Sequence, residues 1–448
     1  CQEPAAAPEG HLAPRLPRLL PATPPRSRGA LRGRRPWKPG GQSLESWPPS
    51  QPERPGKSFR SAARHGPAPL PYPGPAPHRA PPAMKQTALN AVHARLGGKL
   101  IEFGGWHMPV QYGPILDEVR CVRTTAGLFD LGHMGRVHVR GKDAVRFLDT
   151  ICTNWVAKIP VGAIRYSLFC RADGNPIDDL LVYREPENVY LVVNASNTSV
   201  DLDWIREHAK GFAVEIDDET DRTGMLALQG QSSTEVLQKL VTDCDLASIG
   251  YYKFGFGTVC GIANTRISRT GYTGELGYEL YLPNSETERV WNAILEAGAG
   301  AGVKPIGLGA RDVLRLEAGM PLYGHEIDAT HNPIEAGLDF GVSFKDEKGD
   351  WIGRAALARV KASPTKKLVG ITSDGPRIPR QGARLFKGER DIGYVCSGAP
   401  SPTLSTNIAS AYVPLELAAP GTSIDVDFRG KRQPATVREL PFFSRTRK

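Results

Sequence analysis

Beyond residue 84 the apolar positions of this 448-residue chain repeat with two periods, that of a helix and that of a strand. Between 115 and 125, Leu116, Val119 and Val122 recur at i, i+3 and i+6, with Asp117 and Glu118 early and Arg120 and Arg123 late, as the helix macrodipole favours. This predicts a helix. Runs of strand character follow over 136–140, 166–171, 177–183 and 189–194. The turn Ala172-Asp173-Gly174-Asn175-Pro176 predicts that the second and third form an antiparallel hairpin. Segments 142–148 and 199–208 carry the helical period. The alternation recurs as strand 224–228, helix 233–241, strands 258–262, 266–269 and 277–282, and helix 287–297. Helices alternating with antiparallel strand pairs predict two interleaved α+β units over 84–355, in place of a doubly wound parallel sheet. Near residue 360 the texture changes. Short strands over 366–372, 393–396, 407–412, 423–428 and 433–438, separated by Gly, Pro and Ser turns, predict a small all-β barrel or sandwich over 360–448.

Residues 1–83 show almost no such periodicity and hold 21 of the 39 prolines. A segment of this kind cannot bury enough apolar surface to offset its ordering entropy, so disorder is expected. It begins with Cys1, and Met84 opens the first foldable stretch. The preferred reading is an upstream stretch ahead of a chain that starts at Met84. An organelle transit peptide competes, favoured by Arg and scarce acids but not by the prolines; a basic tail is the third reading. The segment also explains the net charge of +9, since it carries 13 of the 56 Lys/Arg and 4 of the 47 Asp/Glu, leaving 43 of each in the rest. A neutral body has no long-range field to steer it onto nucleic acid. No apolar run reaches the roughly 18 residues needed to cross a bilayer, so no membrane partner is expected. Seven cysteines without C-x-x-C spacing read as reduced and intracellular.

Candidate chemistry lies in three places. Asp178-Asp179 interrupts an apolar strand, and successive strand side chains point to opposite faces. One carboxylate is expected to cap the turn end of the hairpin while the other faces a cavity with Leu181 and Tyr183, although both bordering the turn accounts for the spacing equally well. In Arg269-Thr270-Gly271-Tyr272-Thr273-Gly274-Glu275-Leu276-Gly277-Tyr278-Glu279-Leu280 the glycines demand a tight loop. Glu279 falls on the strand face opposite Tyr278 and Leu280, suited to a guanidine-like edge, and Glu275 is expected to be solvated. Arg311 and Arg315 lie four apart on one helix face, beside Asp312 and Glu317. They suit either a ligand carboxylate or a structural ion-pair network. Gly298-Ala299-Gly300-Ala301-Gly302 follows a helix and reads as its C-terminal turn. No metal-ligand spacing is present, and His133 and His325 are expected to be satisfied structural residues.

In this order these segments resemble the T-protein family of the glycine cleavage system. The match begins at Phe103-Gly104-Gly105-Trp106-His107-Met108-Pro109-Val110-Gln111-Tyr112 and continues through Gly127-Leu128-Phe129-Asp130, His133-Met134-Gly135, Ile177-Asp178-Asp179-Leu180 and Ala227-Leu228-Gln229-Gly230. Segments 268–279 and 307–317 follow, and Ser397-Gly398-Ala399-Pro400-Ser401-Pro402-Thr403-Leu404 closes it. The resemblance implies three domains around a central hole that holds tetrahydrofolate, the last a β-barrel. It implies that a methylene carbon passes from the aminomethyl-lipoyl arm of H-protein to tetrahydrofolate, with release of ammonia. P-protein and L-protein belong to the wider system, and no metal, flavin or pyridoxal phosphate is implied. Within it, Asp179 is the catalytic carboxylate, Glu279 the pterin contact and Arg311 the substrate-binding arginine, with Asn194, Tyr166, Met134, Tyr272 and Tyr323 near the folate. The compartment implied is a bacterial-type cytoplasm, or a mitochondrial matrix if residues 1–83 are a transit peptide.

Leu131-Gly132 stands where Val-Ser is usual in the family, Trp155 replaces a common acidic residue and Gln231 a proline. The end, Pro441-Phe442-Phe443-Ser444-Arg445, lacks a tyrosine that contacts folate in some relatives, so no residue is carried over there. The folate domain of a dimethylglycine or sarcosine demethylating enzyme is the alternative within the fold, but this chain has no flavin domain. Deleting residues 1–83 is expected to leave the melting temperature of the remainder within a few degrees; a larger drop on thermal denaturation would show that the segment packs against the body.

Overall fold

A computed structural model describes residues 84–373 and 375–445. Expectations about residues 1–83 lie outside the described residues.

The chain enters one sheet, leaves for a second, and returns. Ala126–Asp130 belongs to a six-stranded sheet ordered Phe254–Val259, Ile262–Ser268, Gly277–Pro283, Thr223–Gly230, Ala126–Asp130, Lys304–Pro305, antiparallel but for the last pair. The residues between go to a five-stranded antiparallel sheet ordered Ile164–Cys170, Pro176–Arg184, Val189–Val193, Gly135–Arg140, Glu215–Asp218. This is the interleaved α+β arrangement read from the pattern. Helices Ala144–Ile151 and Thr198–His208 cover the outer face of the five-stranded sheet through Phe147, Leu148, Ile151 and Ile205. Helices Ser233–Gln238 and Thr287–Gly298 do the same for the other sheet, with Val236, Trp291 and Ile294 buried against Leu226, Tyr278 and Leu280. The inner faces meet each other through Phe129, Leu131, Tyr183, Tyr190, Met225 and Tyr281.

The third unit is a closed barrel ordered Lys366–Ser373, Thr406–Pro414, Arg390–Ser401, Arg384–Lys387, Ser423–Asp427, Arg432–Arg438, filled by Val369, Ile371, Leu385, Val395, Ala409, Val426 and Val437. Closure removes the unpaired edges of so short a set of strands.

Element by element, the helix over 115–125 is Ile115–Thr124, and the expected hairpin is present between Ile164–Cys170 and Pro176–Arg184. The strand expected over 258–262 is corrected. Cys260 and Gly261 both have positive φ, 50° and 78°, and form the two-residue turn between Phe254–Val259 and Ile262–Ser268. That is the backbone a tight hairpin requires, and the apolar flanks Val259 and Ile262 hid it. Strands Ala126–Asp130 and Arg384–Lys387 are additions.

Candidate functional site

A cavity of about 1010 Å³ opens where the two sheets and the barrel meet, and all eight residues singled out above line it: Met134, Tyr166, Asp179, Asn194, Tyr272, Glu279, Arg311 and Tyr323. They arrive from within strands Ile164–Cys170, Pro176–Arg184 and Gly277–Pro283, from positions just before Gly135–Arg140 and just after Val189–Val193, from the loop after Ser268, the helix Leu308–Glu317 and the loop that follows it.

Strand alternation separates the two aspartates as expected: Asp179 lines the cavity and Asp178 is fully buried on the other face. Their partners correct the rest. Asp178 does not cap the hairpin turn. It accepts N–H bonds from the Asn194 backbone at 3.0 Å, Asn194 Nδ2 at 2.9 Å and Asn197 Nδ2 at 2.7 Å. The same Asn194 amide reaches Asp179 Oδ1 at 2.7 Å, so one side chain at the end of the Val189–Val193 strand ties both carboxylates together. Burial, and after it the charge of Asp178, raises Asp179 to about 7. The Tyr166 hydroxyl is buried beside Asp179 without a well-aligned partner. Of the two apolar neighbours expected in the cavity, Leu181 lines it; Tyr183 lies deeper between the sheets, bonded to the Tyr281 hydroxyl at 2.6 Å.

Glu279 faces the cavity opposite Tyr278 and Leu280, which belong to the outer core. Its Oε2 accepts from Thr270 at 2.5 Å and Tyr281 at 3.5 Å, its Oε1 receives no donor among the described residues, and burial raises its pKa. The tight loop before it needs its glycines: at Gly271 a Cβ would lie 1.8 Å from Gln229 Oε1, and Gly274 has φ +74°. Glu275 is corrected from solvated to buried. It receives Arg123 Nη1 at 3.0 Å and Arg445 Nη2 at 2.9 Å, partners 152 and 170 residues away in sequence.

Between Arg311 and Arg315 the structure distinguishes the two open readings. Arg315 is 1% exposed and bonds Glu326 at 2.8 Å, Asp312 at 2.9 Å and Ser397 at 2.7 Å, so it belongs to an ion-pair network. Arg311 has no carboxylate partner among the described residues; its guanidinium lies 4.6 Å from the centroid of the Tyr272 ring, within the cavity wall. Burial opposes its charge, with Tyr272 and Glu279 favouring it.

Two histidines also line the cavity. His325 is satisfied, Nδ1 meeting Ser397 Oγ at 3.1 Å. His133 is not, a further correction: its Nδ1 is buried without a partner, and burial with the nearby Arg311 charge pulls it down to about 3, leaving a neutral imidazole. Asp130 and Arg136, three residues either side, also act on it, but Arg311, the charge that opposes protonation most, comes from a distant segment of the chain. Among the described residues no cluster of acidic, His or Cys side chains has metal-binding geometry, and no helix is long and apolar enough to cross a membrane.

Residues 89–346 match the family model for the GCVT N-terminal domain, and 366–444 that for the glycine cleavage T-protein C-terminal barrel domain. An aminomethyltransferase of Geobacillus thermodenitrificans is 48% identical over 366 residues, covering 81% of this chain and 100% of its own length. One of Streptomyces avermitilis is 47% identical over 369 residues, covering 81% and 98%. Among solved structures, the glycine cleavage system aminomethyltransferase T from Bartonella henselae superposes with a TM-score of 0.75 at 32% identity, over 80% of this chain and 98% of that one.

Replacing Arg315 by Met leaves Glu326 buried without its cation, a loss expected to cost about 3–5 kcal/mol. Arg311→Met removes a cation that pairs with no carboxylate, so chemical denaturation should show it as stable as the parent. Equal losses in the two variants would show that Arg311 also serves the fold.

Proposed function

This chain belongs to the glycine-cleavage T-protein family of aminomethyltransferases, and from that premise we propose that its cavity binds tetrahydrofolate and that lipoylated H-protein delivers the aminomethyl group to it. The observation that carries the reading is one cavity holding a carboxylate poised near neutral pH, Asp179, together with a guanidinium that has no carboxylate partner, Arg311, and a buried glutamate with one oxygen free of donors, Glu279. Polar groups left without partners at this depth are costly unless a ligand completes them.

The residues fit folate. Glu279 offers its free oxygen to the N–H edge of a pterin, a charge-assisted contact, and the rings of Tyr166, Tyr272 and Tyr323 with the Met134 side chain supply surface around it. Arg311 offers a planar donor fork to an acceptor on the substrate. Tetrahydrofolate supplies the nitrogens that accept the transferred carbon.

Asp179 does the charge work. Positive charge develops on the carbon as ammonia departs, and an ionised Asp179 fixed by Asn194 stabilises it without having to reorient. With a pKa near 7 it also takes a proton from a folate nitrogen and gives it up again, the condition under which acid–base help is most effective. The enclosing sheets and barrel keep water from diverting a formaldehyde-level carbon.

Ammonia release from aminomethylated H-protein, with and without tetrahydrofolate, tests the activity; release that ignores tetrahydrofolate would sink the proposal. Asp179→Asn should lower turnover by about 10²-fold or more and abolish the acidic limb of the pH profile, since wild-type turnover should rise with pH through about 7 as Asp179 ionises. Folate affinity should change comparatively little. Glu279→Gln should act the other way round, weakening folate binding by about 1.5–3 kcal/mol in calorimetry with a smaller effect on the bound step. Unaltered affinity would remove Glu279 from the pterin site.

A further inference from the structure

Behind Asp179, off the cavity wall, lies an acidic residue that the proposed chemistry does not use. Asp201 sits in the first turn of the helix Thr198–His208 and is fully buried. Neither of its oxygens receives an N–H or hydroxyl, and no ion pair reaches it among the described residues. Its neighbour is the carboxyl of Asp178. Donors are divided unequally between the two: Asp178 has three N–H bonds from Asn194 and Asn197, Asp201 none.

Two adjacent buried carboxyls do not both ionise. The one with three donors is the anion, because each N–H bond favours the charged form. The one without donors keeps its proton, and a protonated carboxyl is itself a donor. We propose that Asp201 donates a retained proton to ionised Asp178, and that this hydrogen-bonded pair acts on Asp179, through the Asn194 amide that bonds both Asp178 and Asp179, as a fixed negative charge. Neither member touches the cavity, so both are positioning residues, and their importance for turnover rests on the reading of Asp179 given above.

The other titratable groups facing this trio are phenols: Tyr166 from the strand Ile164–Cys170, Tyr272 from the loop after Ser268, and Tyr323 from the loop after the helix Leu308–Glu317. All three are held above their ordinary value by burial and stay neutral, so they do not offset the pair's charge. Burial, then Asp178, raises Asp201 to about 10, well above the value for Asp179. The order matters. The proton on Asp201 stays while the proton on Asp179 is exchanged, and the pair's charge keeps Asp179 from ionising at ordinary carboxylate pH.

The test is spectroscopic and uses the full chain. At about pH 8.5, above the Asp179 value and below that of Asp201, infrared spectra of the wild type should retain the band of a protonated buried carboxyl. Asp201→Asn, whose amide still donates to Asp178, should lack it. Persistence of the band in that variant, or its absence from the wild type, overturns the assignment. Asp201 takes up a proton on folding, so its contribution to stability falls as pH rises from about 4, its unfolded value. The melting temperature of Asp201→Asn should therefore fall less than that of the wild type between about pH 5 and pH 9, and parallel slopes count against the proposal. In Asp178→Asn, removing the like charge should move the Asp179 carboxyl titration, followed by carbon-13 NMR, down by about one pH unit or more. An unmoved titration overturns the tuning role. Should Asp178→Asn fail to fold, the infrared band of Asp201→Asn decides alone. Retained turnover in Asp179→Asn would refute the functional reading instead, and leave the titration result standing.

Discussion

Burying an ion without a partner costs several kcal/mol, and around this cavity that constraint sorts charged residues into two sets. Arg123 is held by Glu275 and Glu317, Arg315 by Glu326 and Asp312, and Arg445 by Glu275. The pairs of Arg123 and Arg445 join segments far apart in sequence, whereas Arg315 is held by acids on its own helix and in the loop that follows. Arg311, Glu279 and Asp179 line the cavity and are incompletely paired among the described residues. A helix that carries Arg311 and Arg315 four residues apart presents one guanidinium to the fold and the other to the cavity. The polar inventory of the cavity is thus what remains once the structural ion pairs are subtracted.

The same logic governs the acidic strand. Alternation sends Asp178 and Asp179 to opposite faces, which would ordinarily isolate them. Asn194, just past the end of the adjacent strand, has left the regular ladder, and its backbone N–H and side-chain amide serve both carboxyls. Asp179 is therefore anchored from behind by an element of the sheet itself. A loop-borne carboxylate would have to be ordered anew by each ligand, at an entropic cost that this one avoids.

Local patterns carried much of this architecture in the sequence. The helical period at Leu116, Val119 and Val122 and the Asp173-Gly174 turn are short-range signals, and both elements form where those residues predict them. The hairpin turn at Cys260-Gly261 was masked because Val259 and Ile262 continue an apolar run across it. At the site, motif resemblance brought eight residues to one cavity, whereas spacing alone left Arg311 and Arg315 equivalent. Their difference depends on Glu326 and Ser397, which lie 11 and 82 residues beyond Arg315. Glu275 was misread for the same reason: a carboxylate in a glycine-rich loop looks solvated until Arg123 and Arg445 arrive. Short-range patterning specifies elements. Burial of a polar residue is a long-range property, and a single sequence does not display it.

The barrel is more than an appended module. Glu326 accepts Arg315 Nη1 and the Leu322 N–H, while Ser410 and Tyr412 of the barrel strand Thr406–Pro414 hold its side chain and its carbonyl. Ser397, on Arg390–Ser401, holds the other end of the Arg315 fork at 2.7 Å. The loop from Gly319 to Tyr323 that lines the cavity is therefore pinned between a helix of the α+β body and two strands of the barrel. The next stretch of chain after the barrel, Leu440 and Pro441, lines the same cavity. Phe443 stacks on Arg123 and Arg445 reaches Glu275, so the C-terminal segment ties back to the loop that precedes Glu279. The barrel and the C-terminal segment therefore both wall the cavity and contribute, through Ser397 and Arg445, to the networks of Arg315 and Glu275.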